Sequence, residues 1–150
     1  MTSLSTINDF LAQKHLAIAG VSRNKKKFGN ILYEAVVEKG YETYPIHPVL
    51  SVYGEKTCYE SVSDLPAEVT ALVISTKPDQ AQIIAEEAIK KGIRYIWFQQ
   101  GSTNRQTLKL MDGSSACVIS DRCLLMFLDP VKGIHGFHRW LSKAFGNYPK

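Results

Sequence analysis

Short apolar runs alternate with longer amphipathic ones along most of the chain. The runs "HLAIAG" (15–20), "ETYPIH" (42–47), "VTALVIS" (69–75), "IRYIWFQ" (93–99) and "SACVIS" (115–120) have the length of strands. Most are apolar at successive positions, as parallel strands buried on both faces are. Between them Ile31, Leu32, Ala35 and Val36, and later Ala81, Ile84, Ala85 and Ala88, recur at helical spacing. Ser5 to Gln13 reads as a helical lead-in, with Leu4, Ile7, Phe10 and Leu11 as its apolar stripe. Gly40 and Gly92 stand where helix C-caps belong, each just before a strand. The stretch "TNRQ" from Thr103 to Gln106 has the form of a capping box opening a short fourth helix that Gly113 closes.

This alternation predicts an α/β fold: a Rossmann-like, open, five-stranded and mostly parallel sheet, with helices on both faces because crossovers are right-handed. A length of 150 residues without repeats or linkers fits a single domain. We assign residues 1–130 to that domain and 131–150 to an amphipathic extension of it. The extension's aromatic stripe, Phe137, Trp140, Leu141 and Phe145, is expected to pack across the sheet or against another subunit, giving a homodimer. Ligands of such sheets bind at the carboxyl ends of the strands. Here those ends read "GVSRNKKKFGN", "IHPV", "STKPDQ", "FQQGSTN" and "SDRC".

Composition narrows the function. A net charge of +4 and a pI near 8.9 are only mildly basic, so nucleic acid is not an expected partner. No apolar stretch approaches the length that spans a bilayer, and the first ten residues lack a signal-peptide pattern; a cytoplasmic protein without membrane contact is expected. Cys58, Cys117 and Cys123 form no C-x-x-C pair, which argues against a disulfide framework or a zinc site. His135 and His138 share a helical spacing but have no third ligand, so an ordinary surface pair is the expectation and no metal is assigned. No Ser–His–Asp order, metal motif or isolated carboxylate pair falls in the strand-end loops, so no catalytic residue is assigned.

The first loop carries the strongest chemical signal. Lys25, Lys26 and Lys27 precede the second helix, although a helix N-terminus bears partial positive charge and repels cations. A G-x-G-x-x-G fingerprint from Gly20 would need glycine at the positions of Ser22 and Lys25, and "PIHPV" offers no acid for a ribose 2′-hydroxyl. The pattern G-x-x-x-x-G-K-[ST] is absent as well. What remains is a phosphate site of backbone N–H groups, the Ser22 hydroxyl, Arg23 and the lysines, suited to a ligand with several phosphates and no magnesium. Arg23 and Lys27 are its better candidates, since a charge run such as Lys25–Lys26 also reads as a solvated face. Gly20 fits either close helix packing or backbone approach to a ligand, and we favour the second. The alternative is an NAD(P)-binding redox module in which Arg23 and the lysines read a 2′-phosphate. An assembly module centred on the aromatic tail is a further rival.

In order and spacing, "AIAGVSRN", "GYETYPIHPV", "YGEKTCYESVSDLP", "STKPDQAQIIAEEAIKKGIRYIWFQQGS" and "VISDRC" resemble the stand-alone CoA-binding proteins. The fold of that group is shared with the CoA-binding domain of succinyl-CoA synthetase alpha subunits. The resemblance implies coenzyme A as cofactor and CoA or an acyl-CoA as partner, in a carrier, sensor or accessory role. It implies that Gly20, Ser22, Arg23, Lys27, Phe28 and Gly29 lie along the pyrophosphate and pantetheine, and that His47 and Pro48 border the adenosine. Ser75, Thr76, Lys77 and Pro78 would cover the adenine or ribose phosphate, and Gln100 and Gly101 would face the pantetheine arm. Two departures stand out: His47 occupies a position where members of the group usually carry asparagine, and the aromatic tail extends past the usual end. Cys123 reads as a small buried hydrophobe or, with Arg122 beside it favouring thiolate, as a thiol that exchange with CoA disulfide would convert to a mixed disulfide if the pantetheine thiol ends there. The synthetase also needs a second domain with a phosphorylated histidine, so binding without ligation is the expectation.

Overall fold

The computed structural model describes residues 2–128. The tail stripe Phe137, Trp140, Leu141 and Phe145, with His135 and His138, lies outside the described residues. Along the chain run α1 (Leu4–Leu11), β1 (His15–Ala19), α2 (Phe28–Glu38) and β2 (Glu42–Ile46). A hairpin follows, of β3 (Val52–Tyr53) and β4 (Lys56–Thr57), then a 3-10 turn at Val62–Asp64. Next come β5 (Ala71–Ile74), α3 (Pro78–Lys91), β6 (Tyr95–Gln99), α4 (Arg105–Met111), β7 (Cys117–Arg122) and a 3-10 turn at Leu124–Met126. The sheet order is β2-β1-β5-β6-β7, with every neighbouring pair parallel. This is an α/β Rossmann-like fold with a five-stranded parallel sheet, as the apolar runs predicted.

Alternating residues of the central strands feed two cores. On one face Leu16, Ile18, Val73, Trp97 and Ile119 meet Ile7 and Phe10 of α1 and Leu32 and Val36 of α2. On the other, Ala17, Leu72, Ile74, Ile96 and Phe98 meet Ala81, Ala85 and Ala88 of α3 and Met111 of α4. The alanines let α3 lie close to the strands. Trp97 centres the first core: Phe10 meets its ring edge-on at 5.2 Å, Phe127 lies at 5.6 Å, and Nε1 donates to the Arg122 carbonyl at 3.0 Å.

Three local expectations are corrected. The buried face of α2 is Gly29, Leu32, Tyr33 and Val36, while Ile31 is exposed. Tyr33 takes the inward place and meets Tyr53 of the hairpin edge-on at 4.9 Å. The cap of α4 is Asn104, not Thr103, for Asn104 Oδ1 accepts the N–H and the hydroxyl of Thr107 at 2.9 and 3.1 Å. Helix α1 starts one residue early, with Ser3 Oγ accepting the Thr6 N–H at 3.1 Å. Among the described residues no helix is long and apolar enough to cross a membrane.

Candidate functional site

From β1 the chain crosses through α2 to β2 on one side, and from β5 it crosses through α3 to β6 on the other. The loops leaving β1 and β5 therefore part at adjacent strand ends, the switch point where open α/β sheets bind ligands. Backbone packs on backbone here. Ser75 N–H donates to Ala19 O at 2.8 Å, and a Cβ on Gly20 (φ +131°) would lie 2.5 Å from Ser75 O. A Cβ on Gly29 would lie 2.0 Å from Gly20 O. Gly20 is thus required by packing as well as standing at the cleft, and Gly29 does what the last glycine of a dinucleotide fingerprint does, seating the helix on the strand. A search at fixed fingerprint spacing passes over it.

Asn30 shapes the loop between them. Its buried Oδ1 accepts the Ser22 N–H at 2.8 Å, and its Nδ2 donates to the carbonyls of Ser22 (2.9 Å) and Asn24 (3.0 Å). Asn24 N–H donates to Ser22 Oγ at 3.1 Å, Lys26 N–H to Asn24 Oδ1 at 3.1 Å and Lys27 N–H to Asn24 O at 3.0 Å. Those four N–H groups, of Ser22, Asn24, Lys26 and Lys27, are engaged within the loop. The Ser22 hydroxyl accepts one of them and keeps its own proton to donate. Sequence reasoning missed Asn30, because a buried amide clamp has no spacing signature.

A cleft of ≈ 610 Å³ opens at this point. Its walls bring together Gly20, Ser22, Lys27, Phe28 and Gly29 after β1, His47 and Pro48 after β2, Ser75, Thr76, Lys77 and Pro78 after β5, and Gly101 after β6. Arg23 is exposed and outside the walls, yet its charge acts on His47; Lys25, Lys26 and Gln100 are exposed and also stand outside. Arg122 and Cys123 are not in the cleft walls: Arg122 is tied through its carbonyl to Trp97, and Cys123 packs against the α1–α2 core. A further wall comes from Glu60, Ser61 and Val62, facing Ile83, Ile84 and Glu87 of α3. Sequence reasoning named only Ile84 of this wall, as part of the apolar stripe of α3, and assigned none of these residues to the cleft.

Both α2 and α3 point their N-termini at the cleft. Each has lysine at its N-cap, Lys27 and Lys77, and neither has a capping side chain, whereas Ser3 and Asn104 cap α1 and α4. Lysine satisfies no helical N–H and adds positive charge to the positive end of the dipole. Positive charge therefore faces the cleft from two sides, offset in part at α3 by Asp79 in its first turn. His47 Nδ1 accepts the N–H groups of Val49 and Leu50 at 3.1 and 3.2 Å. Burial, and secondarily the Arg23 guanidinium, hold its pKa below the ordinary histidine value. Burial likewise pushes the Cys58 thiol up. Among the described residues no group of three or more His, Cys, Asp or Glu side chains is placed to hold a metal ion.

Residues 14–129 match the family model of the CoA binding domain. The chain belongs to that family. Within the relatives found, it is 22% identical over 111 residues to the uncharacterized protein YneT of Bacillus subtilis, covering 74% of this chain and 82% of that one. It is 27% identical over 94 residues to an ADP-forming acetate–CoA ligase of Archaeoglobus fulgidus, covering 61% of this chain but only 14% of the ligase. A hypothetical protein from Pyrococcus horikoshii superposes with a TM-score of 0.79 at 28% identity, over 89% of this chain and 94% of that one. A conserved hypothetical protein from Pyrococcus furiosus gives 0.71 at 29% identity, over 74% and 96%. This CoA-binding domain thus has the fold and much of the length of small relatives.

Proposed function

We propose that the chain binds coenzyme A or an acyl-CoA in the switch-point cleft and acts as a carrier, sensor or accessory subunit without catalysing a reaction itself. The observation that carries the reading is the pair of uncapped, lysine-headed helix N-termini converging on one cleft, in a member of the CoA-binding domain family. CoA brings a pyrophosphate and a separate 3′-phosphate, enough charge to engage Lys27, Lys77 and the outlying Arg23 together. Ser22 offers a hydroxyl donor beside them. The apolar walls of Val62, Ile83 and Ile84 offer a surface for a flat base.

The end of β2 weighs against a dinucleotide. No acid follows Ile46 there, only His47 and Pro48, so a ribose diol finds no carboxylate in that position. Calorimetric titration with CoA, dephospho-CoA and NADPH tests the proposal. CoA is expected to bind in the micromolar range or tighter, dephospho-CoA more weakly and NADPH without a measurable signal. Binding of NADPH with no response to CoA overturns it in favour of the redox module.

A further inference from the structure

A side chain closes the turn after β2, and its ionisation state is fixed by its partners. His47 Nδ1 accepts two backbone N–H groups, from Val49 and Leu50. A ring nitrogen that accepts carries no proton, so the neutral ring holds its hydrogen on Nε2. The imidazolium would set an N–H against two N–H groups, and both bonds would be lost. His47 N–H meanwhile donates to Tyr59 O at 2.9 Å, and Tyr59 N–H to Pro45 O at 2.8 Å, which anchors the turn to the sheet edge. Pro48 extends into the cleft wall from this turn. The facing wall is fastened differently: Val62 N–H donates to Glu87 Oε2 at 3.1 Å and Lys91 Nζ to Ser63 O at 3.0 Å, with no imidazole involved.

We infer that His47 is the positioning residue of the β2-side wall, holding it as neutral imidazole and releasing it on protonation. Its effect on CoA rests on the binding proposed above. The groups that face His47 are Arg23 from the β1–α2 loop and Cys58 at the end of β4, whose thiol meets the His47 backbone. The charged groups sharing its cleft are Lys27, Lys77, Glu60 and Glu87. Burial and Arg23 both disfavour the imidazolium, in the same direction as the turn. The sign follows: with the folded pKa depressed, the unfolded chain takes up the proton first, so stability is full above the ordinary histidine range and is lost as pH falls through the folded value.

His47→Asn supplies the control, because an asparagine Oδ1 accepts from the same turn without titrating. As pH falls through the folded value of His47, which lies below the ordinary histidine range, the CoA dissociation constant of the wild type should rise by roughly threefold or more relative to that of H47N. Equal pH profiles, or tighter relative binding by the wild type in acid, overturn the inference. NMR of the ligand-free protein decides it independently of any ligand. As the imidazole titrates, the Val49 and Leu50 amide signals should shift and exchange faster with solvent in the wild type and stay put in H47N. A ring that titrates with both amides unmoved sinks the inference. If CoA fails to bind either protein at any pH, the proposed function fails while the amide measurement still decides the role of His47.

Discussion

Gly29 sits in the first turn of α2 against the Gly20 carbonyl, so closely that a methyl group has no room: a Cβ there would lie 2.0 Å from the Gly20 oxygen, and the obstacle is backbone. Gly29→Ala must push α2 away from β1. Overpacking of this kind costs about 1–3 kcal/mol, and a chain of this size loses roughly 2–4 °C in melting temperature for each kcal/mol. A thermal melt should therefore show G29A several degrees below the wild type, and an unchanged melting temperature would mean that α2 can move freely. At this scale the sequence was partly legible. Gly20, Ser22 and Lys27 were visible because glycine, hydroxyl and cation at a strand end each have a chemical meaning there. Gly29 was named only through the family resemblance and Asn30 not at all; their packing roles appear when the helix is laid on the strand, since what they touch, the Gly20 carbonyl and the Ser22 amide, is set by the crossover.

Helices α2 and α3 enter the cleft in the same way, each headed by an uncapped lysine. Lys25 and Lys26 stand outside the walls, in a loop whose backbone is already internally bonded. The run of three cations thus divides into one at the helix head and two in solvent. Lys27 and Lys77 line the cleft but are exposed, so each charge-assisted contact is screened to about 1–1.4 kcal/mol, and Lys27→Ala and Lys77→Ala should each weaken CoA binding roughly fivefold to tenfold. Lys25→Ala and Lys26→Ala should change it by less than about twofold. Titration of the four variants checks this division, and a uniform loss across all four would point to a diffuse charge effect. Among elements, the five sheet strands were legible because most are continuous apolar runs with helical periodicity between. The β3–β4 hairpin was not, for two-residue strands show no alternation, and the cap of α4 slipped because Thr103 and Asn104 are both capping residues and only geometry chooses between them.

The order β2-β1-β5-β6-β7 places the cleft where the chain reverses direction across the sheet, and the two cores on either face hold its walls at fixed distance. Among the described residues, Phe127 and Leu128 are the last to join the first core: Phe127 packs on Trp97, and both are buried. Among the described residues, none that lines the cleft comes after Gly101. The division of the chain at residue 130 is a proposal that truncation tests. A chain ending there should keep its melting temperature to within about 2–4 °C, the effect of roughly 1 kcal/mol in a protein of this size, and should bind CoA as the full chain does. Its mass in solution then reports on the tail alone. A fall from dimer to monomer with binding retained assigns the aromatic stripe to assembly, as its amphipathic pattern predicts. A collapse in stability instead places that stripe within the core, because only lost apolar burial would remove several kcal/mol without touching a residue of the cleft.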